Sequence, residues 1–237
     1  FTSFAQNITF NNEFNDIYKL DSKNPLERSY NRYYNFIKSG LEEPLSTHSD
    51  HFSTNQAYGV GSYTKGAIFL MQLGYIIGEE KLYSGLRRYY NEWKFKHPDE
   101  YDFLRIMEKE SEIELDWYMD YWVKTTHQID YSLEVFEKDK STVSININRI
   151  GKMPMPIEVQ VIYDDLKSEN YYIPLSIMRG EKYNSNDNII LLKDWEWVNE
   201  SYQIDLDIEE KKINKIILDP SGKMADVDKS NNTIEFE

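Results

Sequence analysis

A chain of 237 residues, 40% hydrophobic and 29% charged, has an ordinary globular composition that fills one large domain or two average ones. Lys and Arg number 27 against 41 Asp and Glu, a net charge of −14, so the summed field works against a phosphate backbone or an anionic membrane face, and nucleic acid is not an expected partner. The absence of cysteine removes disulfides, Cys-bound zinc, iron–sulfur clusters and thiol catalysis, and leaves the redox compartment open.

The opening at Phe1 has neither the basic start nor the small-residue cleavage site of a secretion signal, and the chain is expected to be a piece of a longer one. Pro25 sits at a plausible first helical position behind Asn24, and Leu26, Tyr30, Tyr33, Tyr34 and Ile37 recur at spacings of three and four. That pattern predicts an amphipathic helix ended by Gly40. Tyr63 to Ile77 is apolar around most of its circumference, which predicts a helix buried among others and stopped by Gly78. Its longest apolar stretch, Ala67 to Ile77, is interrupted by Gln72 and Gly74 and falls short of the roughly 20 residues that cross a bilayer, so no transmembrane segment is expected. Leu82 to Phe95, Tyr101 to Glu110 and Leu115 to Lys124 read as three further helices.

After Asp130 the texture changes to short runs of period two. Ser132–Phe136, Thr142–Ile147, Ile157–Tyr163, Tyr171–Ile177, Ile189–Leu192, Tyr202–Ile208 and Lys215–Leu218 give seven candidate strands between Asp, Asn, Gly, Lys and Pro turns. Seven strands in about a hundred residues predict an antiparallel β-sandwich. The expected division is a helical part, residues 1–129, and a β-sandwich domain, residues 130–237.

Local motifs alone do not specify a reaction. Gly61 and Gly66 have the separation of a phosphate loop, but Ala67 and Ile68 stand where its Lys and Ser/Thr belong. His48, Asp50 and His51 offer clustered metal-ligand chemistry, yet Pro44, Ser46, Thr47 and Ser49 make the segment a loop, and no HExxH signature is present. The adjacent pairs Glu42–Glu43, Asp164–Asp165 and Glu209–Glu210 point apart on a helix or strand and read as solvated surface. Trp195 and Trp197, two apart, would share one face of a strand and offer a carbohydrate platform, or simply pack.

Order and spacing of longer stretches say more. The run from Glu43 through Phe95 carries Tyr-x-Lys-Gly at Tyr63–Gly66, with Tyr58 five residues earlier, and Leu115-Asp116-Trp117 to Trp122-Val123 comes after it. These resemble the gluzincin zinc aminopeptidases, the family that includes membrane alanyl aminopeptidase and leukotriene hydrolase. The later stretches at residues 153–165, 171–178 and 218–228 resemble the β-sandwich that succeeds the catalytic domain in a bacterial branch of that family. Phe1-Thr2-Ser3-Phe4 resembles the residues just after the family's third zinc ligand. The resemblance implies an α+β multidomain protein: the α-helical C-terminal half of a thermolysin-like catalytic domain, then the sandwich.

It also implies a zinc-dependent enzyme that removes amino-terminal residues from peptide substrates. Zinc would polarise the scissile carbonyl and acidify a bound water, and a donor must meet the oxyanion that develops. A phenol, which ordinarily titrates near 10, can donate at neutral pH; the resemblance gives that catalytic role to Tyr63, with Tyr58 as its helper. The Zn2+ ligands and general base would lie upstream, in a missing amino-terminal catalytic half, so this segment by itself is expected to hold no metal or cofactor and to be inactive. Glu13, Asp16, Glu42 or Asp50 could face a cleft for a cationic amino terminus, and nothing in the sequence selects among them. The alternative is a non-catalytic relative that serves as a binding or scaffold protein. An exported, extracytoplasmic bacterial protein is the expected setting.

Overall fold

The computed structural model describes residues 1–18, 24–137, 142–183, 188–208 and 212–236, which form two compact units. One comprises Phe1–His127 and Ser221–Ala225; the other comprises Gln128–Pro220 and Asp226–Glu237. A single cut in the sequence assigns Ser221–Ala225 to the strands, whereas their contacts place them with the helices.

The helical unit opens with a helix that periodicity does not reveal, α1, Thr2–Tyr18. Its apolar residues are not gathered in one stripe: Phe4 is buried, while Phe10, Phe14, Ile17 and Tyr18 are exposed. The rings of Phe10, Phe14 and Tyr18 cluster with centroids 5.1 to 6.1 Å apart. In α2, Glu27–Ile37, Tyr30 and Tyr33 are buried as the sequence predicts, Phe36 is buried as well, and the expected Tyr34 and Ile37 are half-buried. Gly40 comes next at φ +69°, a conformation that only glycine adopts without strain.

The expected helix from Tyr63 to Ile77 belongs to a longer helical run. It is built from α3, Asn55–Gly59, a π-helical segment at Val60–Lys65, and α4, Gly66–Ile77. Gly78, at φ +88°, ends it and leads into α5, Glu79–Trp93. Then come α6, Glu100–Ser111, whose start is a capping box between Asp99 and Asp102, and α7, Asp116–Lys124.

Every residue of α4 from Ala67 to Ile77 is buried. Gln72, which interrupts the apolar pattern, is fully enclosed and fully partnered. Its Nε2 donates to the Tyr30 hydroxyl at 2.7 Å and to the Lys223 carbonyl at 2.8 Å, and its Oε1 accepts from Ala225 N at 2.9 Å. The Tyr30 hydroxyl also donates to the Lys223 carbonyl, and Lys223 pairs with Glu79. One polar side chain on a buried helix thus holds Ser221–Ala225 against the helices, because a buried amide left unpaired is costly.

Among the described residues the other unit contains eight strands: β1 Tyr131–Glu137, β2 Thr142–Arg149, β3 Ile157–Tyr163, β4 Ser168–Ile173, β5 Ile190–Leu191, β6 Ser201–Asp207, β7 Ile213–Leu218 and β8 Thr233–Glu235. One sheet runs β1-β2-β6 and the other β5-β4-β3-β7-β8. Two features depart from the expected antiparallel sandwich. The two-residue β5 pairs parallel with β4, making the larger sheet mixed, and β8 is an additional short strand beside β7. The alternation in β3 is strict, with Ile157, Val159, Val161 and Tyr163 buried. Leu133, Val143, Ile145, Ile147, Ile204 and Leu206 supply the apolar side of the smaller sheet.

Trp195 and Trp197 form no common platform. Trp195 is buried, donates Nε1–H to the Asn199 carbonyl at 3.1 Å and packs against Tyr131 and Tyr202, because its stretch is a turn with one bridge to Leu175 and not a strand. Of the paired carboxylates, Asp164 and Asp165 are exposed at a turn, and Glu209–Glu210 lie outside the described residues. Among the described residues no helix is long and apolar enough to cross a membrane.

Two points in this unit lead to measurable expectations. A Cβ on Gly151 would collide with the Gln128 carbonyl and the Asp130 backbone nitrogen, where Ile150 N and Gly151 N both donate to the Asp130 carbonyl at 2.8 and 2.9 Å. Backbone on both sides leaves little room to yield, so Gly151→Ala should lower stability by about 1–3 kcal/mol in urea unfolding. An unchanged midpoint would show that the loop relaxes freely.

Asp226 is fully buried and accepts from Tyr131 N, Asn232 Nδ2 and Asp228 N at 3.1, 3.1 and 2.9 Å. Burial nevertheless dominates over these hydrogen bonds and pushes its carboxyl up to about 6, with Asp130 adding to the rise. Its folded value lies above the unfolded reference of about 3.9, so the folded state holds the extra proton. The associated stability is fully present below about pH 4 and lost as pH rises through about 6. Carboxyl 13C NMR, with Asp226→Asn to assign the signal, should find this group titrating near 6; a value near 4 would contradict the burial argument.

Candidate functional site

The two tyrosines singled out in the sequence come together. Thr54 caps α3, its Oγ1 accepting from Ala57 N at 3.0 Å, and Tyr58 sits near the end of that helix. Tyr63 lies in the π-helical segment just beyond. The two rings meet edge to face with centroids 6.3 Å apart, and Phe52 packs against Tyr58 at 5.7 Å. Tyr58 is 37% exposed and Tyr63 56% exposed. Hydrogen bonding with the Tyr63 hydroxyl, reinforced by charge repulsion between the two phenolates, raises the Tyr58 phenol above its ordinary value.

The segment Val60–Lys65 is sharply two-sided. Val60, Gly61, Thr64 and Lys65 are buried, whereas Ser62 and Tyr63 face outward. Single turns of π-helix are rare and recur at functional sites, since the extra residue re-aims a side chain. Here that side chain is Tyr63.

Behind it lies a group that its sequence context misassigns. Glu42, expected at a solvated surface or as a cleft carboxylate, has a side chain only 7% exposed, and it pairs with the 1% exposed Lys65 at 2.8 Å. Lys65 Nζ also donates to the Thr125 carbonyl at 3.2 Å and lies 5.7 Å from the centre of the Trp122 ring. The Tyr33 hydroxyl donates to Glu42 Oε1 at 3.1 Å. Burial lowers the Lys65 ammonium against the opposing pull of Glu42, and burial first, then Glu42, pushes the Tyr33 phenol up. The signal present in the sequence is the charge of Lys65 immediately before a predominantly apolar, buried helix, which demands a buried counter-charge.

The remaining candidates stay apart. Glu13 and Asp16 are exposed on α1, and Glu43 is used locally, accepting from Ser53 N at 2.9 Å. His48 caps the short turn Ser49–His51, its Nδ1 accepting from Asp50 N at 3.3 Å, and both histidines are exposed. Among the described residues the one group with ligand atoms close enough to share an ion is Glu108, Glu114 and Asp116, with atoms within 4.8 Å of one another. It is all carboxylate and largely exposed, and Glu108 is already accepting from Leu115 N at 2.9 Å. Zinc sites draw on imidazole or thiolate with at most a minority of carboxylates. The described residues therefore do not fit a zinc site, and no zinc-dependent step is derived from them.

Comparison with known proteins bears on the whole arrangement. No curated protein sequence matches this chain. The crystal structure of Legionella pneumophila aminopeptidase A in complex with aspartic acid is similar in fold, with a TM-score of 0.58 at 10% sequence identity over 95% of this chain. This chain spans 23% of the length of that one. The peptidase family M1 domain matches residues 1–122, more than half of the 237 residues and all of the segment that carries Tyr58, Tyr63 and Lys65. The chain belongs to peptidase family M1.

Proposed function

We propose that this chain is part of a metallo-aminopeptidase, one that removes amino-terminal residues from peptides, and that Tyr63 supplies the hydrogen bond that stabilises the transition state. The observation that carries the reading is the outward presentation of the Tyr63 phenol from a helical segment whose opposite side is buried. Amide hydrolysis passes through a tetrahedral species with negative charge on the former carbonyl oxygen, and a fixed O–H donor aimed at that oxygen lowers the barrier because it need not reorganise as charge develops. A donor set on a buried helix is held in place before substrate arrives.

Tyr58 takes the part of orienting partner. Its ring, edge to face with that of Tyr63, limits where the Tyr63 side chain can turn, while the Tyr63 hydroxyl remains free to donate to substrate. Zinc, which belongs to the family resemblance, is given no ligand among the described residues; on this reading its ligands and the general base come from the remainder of the enzyme.

In the full-length enzyme, Tyr63→Phe should reduce kcat by about 10²–10³, the cost of removing one preorganised oxyanion donor, with little change in KM; an unchanged kcat would refute the assignment. The same substitution should bring the Tyr58 phenol down toward its ordinary value in a tyrosine titration monitored by NMR, and an unmoved Tyr58 would show that the pair is not coupled. The 237-residue chain alone should hydrolyse no aminoacyl anilide in the presence of zinc, and zinc-dependent turnover by it would contradict the division of labour proposed.

A further inference from the structure

We propose that the buried pair Lys65–Glu42 is a positioning device, which sets the rotation of the segment Val60–Lys65 and thereby the direction of Tyr63. Its bearing on catalysis rests on the oxyanion-donor reading of Tyr63; its bearing on geometry does not.

Helix geometry supplies the first step. Residues two apart lie roughly 200° apart around an α-helix, and they remain on opposite sides in a π-turn. Lys65 is enclosed and Tyr63 is open to solvent, so whatever fixes Lys65 fixes the direction of Tyr63 from behind. Lys65 Nζ meets the Glu42 carboxylate, the Thr125 carbonyl and the Trp122 ring face together. These partners come from the stretch after α2, the end of α7 and α7 itself. Turning the segment by one residue would carry the ammonium away from all three and leave a charge unpaired in a dry site, which is strongly penalised.

Stability does not explain the pair. Two buried opposite charges are commonly replaced by apolar side chains of similar size without loss, because their desolvation cancels their attraction. This pair is not even fully satisfied: Glu42 Oε2 and the neighbouring Trp122 Nε1 are buried without a hydrogen-bond partner among the described residues. What such a pair does provide is directionality, since an ion pair accepts one register where a greasy contact accepts several. A π-turn needs that, because the same residues wound as an ordinary α-helix would aim Tyr63 elsewhere.

The test uses the full-length enzyme labelled with 3-fluorotyrosine, the Tyr63 resonance being assigned by its loss in Tyr63→Phe. In the double variant Lys65→Met/Glu42→Leu, the urea midpoint should be equal to or higher than that of the parent, while the Tyr63 fluorine line shifts or splits and the line of the exposed Tyr90 stays put. A folded double variant with an unmoved Tyr63 line would overturn the proposal. Should the double variant not fold, Glu42→Gln, which keeps shape and removes the charge, decides by the same two lines. In the full-length enzyme the double variant should lose about 10²-fold in kcat with KM little changed, as expected for a misaimed group.

The two readings fail separately. A shifted Tyr63 line in the double variant, together with a normal kcat in Tyr63→Phe, would keep the positioning role and remove the catalytic one. A Tyr63→Phe variant without activity, alongside a double variant with full activity and an unmoved line, would do the reverse.

Discussion

The constraint on which the helical unit depends is the complete burial of α4. A helix enclosed on every side gains hydrophobic free energy along its whole length, but it cannot leave any polar group on it unpartnered. Two residues show how that rule is met, Gln72 within the helix and Lys65 immediately before it. Gln72 is satisfied by Tyr30, Lys223 and Ala225, which fastens Ser221–Ala225 to the helices. Lys65 is satisfied by Glu42 and Thr125. The polar interruptions of the most apolar segment thus decide which groups pack around it.

The candidate site is a consequence of the same burial. With α4 and the inner side of Val60–Lys65 fixed, the outer side presents Ser62 and Tyr63 to solvent, and Tyr58 arrives from the preceding turn with its ring edge to face against that of Tyr63. A side chain that must donate to a developing oxyanion has to be immobile yet accessible. A helix enclosed on all sides with an outward lead-in meets both demands, and a surface helix would meet only the second. The strand-rich unit shows a related tension at Asp226, where three hydrogen bonds do not offset the desolvation of a carboxylate.

Much of the fold was legible because its apolar residues keep strict periods: three and four in α2, two in β3, and in α4 a long apolar run interrupted only at Gln72 and Gly74. Tyr63 and Tyr58 became candidates only through the resemblance of the Tyr-x-Lys-Gly stretch to a known family; the structure adds that both are exposed and that their rings meet. The unread elements lack such periodicity. In α1 only Phe4 among the aromatic residues is buried, so no buried stripe marks the helix; β8 is three residues long, too short for alternation to register, whereas β5 is expected as Ile189–Leu192 and forms over Ile190–Leu191. The π-turn leaves no trace in composition, since it differs from an α-turn in hydrogen-bond register and not in residue preference. Glu42 was misread for a different reason. Adjacent acids on a loop ordinarily point to water, and only the three-dimensional return of Lys65 draws one of them inside.

The central claim, that a buried helix aims Tyr63 at the oxygen of the tetrahedral intermediate, is tested most directly by a crystal structure of the full-length enzyme with a phosphinic dipeptide, whose tetrahedral oxygens stand in for the oxyanion. The account predicts the Tyr63 hydroxyl about 2.7–3.1 Å from a phosphinate oxygen, with Tyr58 beside it and Lys65 still paired with Glu42. A phosphinate met by other donors, with Tyr63 turned to solvent, would contradict it.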